Sequence, residues 1–144
     1  MIGLDAKTLL CLFDRREPAL TARVETLVGV APPEGGCFVH PLVLAELAAT
    51  LERVFRLERE GVAAYLERIL RAPELTIPDA EEALAAVEAF RSGKTAFADC
   101  LLAALNRASG CDVTVTFDRC AAESAGFALL EGCPPAPHKP ASPC

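Results

Sequence analysis

Between Leu42 and Ala49 the only polar side chain is Glu46, and between Ala96 and Leu105 Asp99 stands alone in the same way. A helix that is apolar on every face is a buried helix, so both acids are expected on buried helices. An unpaired buried carboxylate is strongly disfavoured and requires a cation, a proton or access to water. Two further acids, Asp5 and Asp118, each follow a short apolar run that reads as a strand, Ile2 to Leu4 and Val113 to Phe117. Taken singly, Asp5 and Asp118 suit helix caps or turns, and Glu46 or Asp99 suits half of a buried ion pair. Taken together they are four acids without four matching basic partners, and like charges held close raise one another's pKa values. A hard divalent cation, Mg²⁺ or Mn²⁺, prefers oxygen ligands and relieves that repulsion. Clustered, perturbed acids of this kind mark functional sites.

The elements that would position these acids follow from the hydrophobic pattern. Ile2 to Leu4, Cys37 to Val39, Leu75 to Ile77, Val113 to Phe117 and Phe127 to Leu130 read as five strands. Helical patterns fill the intervals. One covers Leu9 to Phe13 and another Pro18 to Val30, closed by the Pro- and Gly-containing loop from Ala31 to Gly36. Pro41 opens a third at its first turn, with an apolar pattern reaching Leu57. A helix near Glu60 to Arg71 stops before Pro73, Asp79 is placed to cap a helix running to about Phe90, and Ser92 to Lys94 breaks it before a helix from Thr95 to Ala108. Strands alternating with helices imply an α/β fold with a parallel sheet covered on both faces. In such a sheet the chemistry collects beyond the carboxyl ends of the strands. Asp5 and Asp118 end strands, while Glu46 and Asp99 lie early in helices that begin at that edge, so all four acids are expected on one rim.

With 144 residues the chain suits one domain, expected over residues 1–132, followed by a tail over 133–144 too proline-rich to pack. The net charge of −6 argues against a dedicated nucleic-acid coating protein but leaves room for an enzyme that meets phosphates with a local basic patch. Apolar runs are interrupted by charge well short of the ~20 residues that cross a bilayer. The first residues lack a basic, then apolar, leader, so a soluble cytoplasmic protein is expected. The seven cysteines contain no C-x-x-C pair, which excludes zinc-knuckle spacing, and cysteines such as Cys11 and Cys100 among apolar neighbours are expected to pack as small hydrophobes.

These segments resemble the PIN domain, in particular its VapC-like branch of toxin ribonucleases. The resemblance runs over about residues 1–130 and rests on Gly3, Leu4 and Asp5, on the run from His40 through Glu46 to Leu47, on Phe97 through Asp99 to Leu105, and on Thr116 to Arg119. It implies a PIN-like fold, a five-stranded parallel sheet sandwiched by helices, with Asp5, Glu46, Asp99 and Asp118 as metal-binding acids. It further implies a hydrolase that cleaves RNA with Mg²⁺ or Mn²⁺, the toxin of a type II toxin–antitoxin pair, acting beside a small antitoxin and as a homodimer. The metal would polarise a phosphate oxygen and make a bound water nucleophilic, so no protein nucleophile is required. Thr116 faces the same side of its strand as Asp118 and is expected to hydrogen-bond an acid or the scissile phosphate.

The chain departs from the family at Lys7, where a small polar residue is usual. Its ammonium either neutralises part of the acid cluster, binds a phosphate, competes with the metal, or lies along the surface with its charge in water. A catalytically silent PIN-fold binding module is therefore an alternative reading, and a PIN nuclease without an antitoxin is another. His40 is expected to be structural and His138 to lie in the tail. Lys94, Arg107 and Arg119 are placed to meet RNA backbone or simply water, and the apolar stretch from Leu51 to Leu70 suits core packing, with a dimer or antitoxin groove as its other use.

Overall fold

A computed structural model of the chain describes residues 1–31 and 36–131. The middle of the loop expected between Ala31 and Gly36, and the expected tail with His138, lie outside the described residues. The chain forms two compact units, Met1–Ala80 and Glu81–Cys144.

In the first unit, three very short strands, β1 (Ile2–Gly3), β2 (Cys37–Phe38) and β3 (Leu75–Thr76), form a parallel sheet in the order β1-β2-β3. Ile2 pairs with Cys37, and Cys37 with Leu75. Helices α1 (Ala6–Phe13) and α2 (Pro18–Gly29) connect β1 to β2, while α3 (Pro41–Arg53) and α4 (Arg59–Leu70) connect β2 to β3. Parallel neighbours require such crossovers, because a tight turn cannot return the chain to the same end of the sheet. Pro18 and Pro41 both occupy the first turn of their helices, where a missing N–H is no loss. His40 caps α3, its Nδ1 accepting from the Leu42 N–H at 3.1 Å, as expected of a structural residue. Arg56 then takes φ +55°, in the left-handed region, so α3 stops at Arg53 instead of continuing to Leu57.

Leu44, Leu47, Ala48 and Leu51 of α3 are buried at helical spacing, as are Val62, Ala63, Leu66 and Ile69 of α4. Core packing is thus the use of much of the stretch from Leu51 to Leu70. The opposite side of α3 corrects an expectation: Leu42 is 71% exposed, and Glu46, one turn further on, is exposed as well. An apolar run fixes the character of every helical face but not which face a neighbour covers. Cys100, like Cys37, is buried, in keeping with cysteines used for packing, whereas Cys11 is only part-buried.

The second unit contains α5 (Ala80–Ser92) from Glu81 on, α6 (Phe97–Ala108), β4 (Thr114–Thr116), α7 (Arg119–Ala122) and β5 (Phe127–Leu129). Asp79 precedes α5 with φ +53°, not in the extended conformation of a capping residue, so its expected role as N-cap is corrected. At Gly93 a Cβ would approach the Ala89 carbonyl oxygen to 2.8 Å, so the chain can turn there only with glycine. Phe90 and Phe97 meet edge to face across that turn, ring centroids 5.9 Å apart, and anchor a core shared with Ala86, Val87 and Leu101.

Strands β4 and β5 pair in parallel, Thr114 with Phe127 and Thr116 with Leu129. The described ladders therefore form a three-stranded and a two-stranded parallel sheet, where the sequence led us to expect five strands in one. The strands are two or three residues long, too short for sequence patterning to fix which edges bond. Thr114 faces α6, accepting a hydrogen bond from Asn106 Nδ2 at 2.9 Å. By the two-residue period of a strand, Val113, Val115 and Phe117 face the other way, and Val115 is 61% exposed. Among the described residues this face of β4 is exposed, where a covered face was expected. No helix among the described residues is long and apolar enough to cross a membrane.

Candidate active site

Asp99 lies in the first turn of α6, two residues after the buried Phe97 that fixes the start of that helix. Unsatisfied N–H groups at a helix start favour a carboxylate. Here the balance goes the other way: partial burial, and then the charge of Asp118, hold the Asp99 carboxyl above its ordinary range. Its carboxyl accepts no hydrogen bond and joins no ion pair among the described residues. The ion-pair role that Asp99 alone would suit is therefore not the one it has in this unit.

Asp118 follows β4 and caps α7, with Oδ1 accepting from the Cys120 N–H at 2.8 Å. Thr116 Oγ1 accepts from the Asp118 N–H at 3.0 Å, so the threonine bonds the backbone of this acid and not its carboxylate. The two contacts fix the backbone and one carboxylate oxygen, leaving Oδ2 without a hydrogen bond among the described residues. Asp99 and Asp118 are thus a pair of interacting acids, one disfavoured as an anion, the other held in place by its turn.

In the first unit Asp5 follows β1 and caps α1, accepting from the Thr8 N–H at 2.8 Å. That bond, and to a lesser degree the charge of Lys7, holds the Asp5 carboxyl below its usual value. Lys7 itself is exposed. The capping alternative for Asp5 and Asp118 thus describes what both side chains do, and it is compatible with a further role for the uncommitted oxygen. Glu46 projects from the exposed face of α3, not the buried one expected, so its carboxylate carries no burial penalty that a cation must relieve. Among the described residues, no three of His, Cys, Asp and Glu gather as a group fit to hold a metal ion. Within the second unit, Asp99 and Asp118 interact.

The cap at Asp5 has a measurable weight. Asp5→Ala should lower unfolding stability by about 1 kcal/mol, while Asp5→Asn, which can still cap, should lose much less in thermal melts at neutral pH. Because the folded carboxyl lies below the unfolded value of 3.8, the charge contribution is present above that pH and is lost as pH falls through the folded pKa. Equal losses in both variants would mean that charge, not capping, carries the effect.

Sequence patterning did not reveal a groove in the first unit between α1 and α2. It has a volume of about 940 Å³ and is lined by Leu10, Leu20, Val24, Leu27 and Phe55, with Arg16 and Arg23 among the apolar residues. The spacing of Leu20, Val24 and Leu27 was the available signal, but it reads equally well as a core face. Arg16 stacks its guanidinium on the Phe55 ring at 4.3 Å and pairs with Asp14. No match to a curated protein was found. The PIN domain family matches residues 2–126, a span that includes all four acids and Thr116, and the chain belongs to that family.

Proposed function

We propose that the chain is a metal-dependent endoribonuclease, the toxin of a type II toxin–antitoxin pair. PIN domains are typically metal-dependent nucleases, which makes hydrolysis of a phosphodiester the reading at family level. The observation that carries it further is the pair Asp99 and Asp118, in which burial and a neighbouring negative charge disfavour the Asp99 carboxylate with no ion pair among the described residues to offset them. Such a donor set is all oxygen and fits a hard divalent cation in kind. In the proposal Asp99 and Asp118, joined by Asp5 and Glu46, hold Mg²⁺ or Mn²⁺. When bound, the metal would polarise the scissile phosphate and supply the nucleophilic water. Thr116 acts as a positioning residue, holding the backbone N–H of Asp118 so that the carboxylate is presented in one orientation. The reading also takes in a five-stranded parallel sheet and a homodimer, the latter open to test by sedimentation.

The antitoxin reading draws support from the apolar groove of α1 and α2, whose Leu10, Leu20, Val24 and Leu27 suit the apolar face of a segment of a small protein, with Lys7, Arg16 and Arg23 set against Asp14 and Glu17 along it. The direct experiment is incubation of single-stranded RNA with the purified chain in Mn²⁺, Mg²⁺ or chelator. Cleavage is expected with either metal and not in chelator. RNA left intact under every condition, or cut equally well in chelator, would sink the proposal. Intact RNA that is nevertheless bound would favour the second reading, a silent PIN-fold binding module, for which the observation is Lys7, whose charge already acts on Asp5. Cleavage that the product of a neighbouring small gene does not suppress would favour a PIN nuclease outside any toxin–antitoxin pair.

A further inference from the structure

The second unit contains a cavity of about 450 Å³ that none of the four acids lines. It lies where α5 and α6 meet α7 and β5, and its size falls within the range of roughly 300–1,000 Å³ usual for small-ligand sites. Its walls are mostly short side chains, among them Ala89 of α5 and Ala104 of α6, and Phe127 of β5 adds an aromatic surface. Two cations, Lys94 and Arg107, and one carboxylate, Glu123, complete the part of the lining that can recognise charge.

Each part of that lining matches one part of a nucleotide. Short apolar walls and an aromatic ring suit a flat base, which stacks without regard to sequence. Cations suit its phosphate. A carboxylate accepts hydrogen bonds only and so favours a base that carries an exocyclic amine. The cavity also adjoins the acid pair along the chain: Cys100 and Cys120, both in its lining, follow Asp99 and Asp118 by one and two residues.

We propose that this cavity is a subsite for one nucleotide of a single-stranded RNA, with the base against Ala89, Ala104 and Phe127, the phosphate at Lys94 and Arg107, and Glu123 selecting amine-bearing bases over uracil. The proposal rests on the nuclease reading for its source of ligand, since a free nucleotide offers the same chemistry. Binding is separable from cleavage, and so are their tests.

Fluorescein-labelled RNA hexamers are titrated with the full chain in chelator and followed by anisotropy. Hexamers of adenine or cytosine should bind several-fold more tightly than those of uracil, and Glu123→Gln should remove the difference. Ala89→Leu, at an exposed helical position that fills the cavity, should weaken binding about tenfold, on the scale of a lost base–aromatic stack. Arg107→Gln should reduce the slope of log K against log salt by about 0.7, the loss of one phosphate contact to a single strand. Adenosine monophosphate should bind at least about tenfold more weakly than the adenine hexamer; equal affinity would overturn the RNA strand as the source. Wild-type binding by both Ala89→Leu and Arg107→Gln, or hexamers that do not bind at all, would overturn the subsite. A parallel cleavage assay in Mn²⁺ separates the two readings. Hexamers bound as described but never cut would sink the nuclease and leave the subsite. RNA cut by wild type, with Ala89→Leu and Arg107→Gln both binding and cutting as wild type does, would sink the subsite alone.

Discussion

Asp99→Asn is expected to abolish metal-dependent RNA cleavage, by at least ~100-fold, on the scale of the several kcal/mol that a catalytic metal supplies, and at the same time to make the metal-free fold more stable. Burial and the charge of Asp118 hold the Asp99 carboxyl above its unfolded value of 3.8. A raised carboxyl means the native state keeps its proton more tightly than the unfolded chain. Stability therefore declines as pH rises from below 3.8 through the folded pKa, and the penalty is complete at neutral pH. An asparagine carries no charge to bury. In chelator at neutral pH the variant should melt above wild type, and the difference should fade as pH falls below 3.8. Added Mn²⁺ reverses the order of benefit. At tenfold excess over Kd it should stabilise wild type by about 1.4 kcal/mol, a rise of roughly 3–5 °C, and leave the variant nearly unchanged. A variant that melts below wild type in chelator, with wild type indifferent to Mn²⁺, would make Asp99 a structural acid.

The largest effect on stability is expected at Phe97. The ring is 2% exposed, packs edge to face on the fully buried Phe90, and occupies the first turn of the helix that carries Asp99. Phe97→Ala removes most of that side chain and leaves a cavity beneath the start of α6, at a cost of about 3–5 kcal/mol. For a domain of this size the melting temperature should fall by roughly 10–20 °C. Phe97→Leu keeps much of the volume and should lose considerably less. Cleavage should fall in Phe97→Ala even at temperatures where it remains folded, because Asp99 is held through this turn. Denaturant titration of both variants is the measurement; a loss below ~1 kcal/mol in Phe97→Ala would show that the site can collapse around the missing ring.

The sequence located most helices because their punctuation is chemical: Pro18 and Pro41 at first turns, Gly93 and Gly110 at breaks, His40 before α3. The pattern around Asp99, a lone acid in an apolar helix, pointed to burial, and the residue is half-buried. The same pattern around Glu46 misled, since coverage of one face of α3 is decided by which neighbours pack there. The ladders were illegible for a related reason. Strands of two or three residues carry too little alternation to specify a pairing edge, so five strands could be counted but not joined into sheets. At Asp79 composition suggested a cap, and the backbone at φ +53° excluded the geometry.

The outward row of Val113, Val115 and Phe117 along β4 has a consequence for handling the protein in solution. An apolar strip on a sheet is a template for self-association, and what keeps molecules apart at neutral pH is their common net charge of −6. That repulsion vanishes near the isoelectric point of about 4.9. Turbidity and precipitation should therefore peak around that pH, between neutral buffers and the acidic range below 3.8, and a polar residue at Val115 should shrink the peak without moving it along the pH axis.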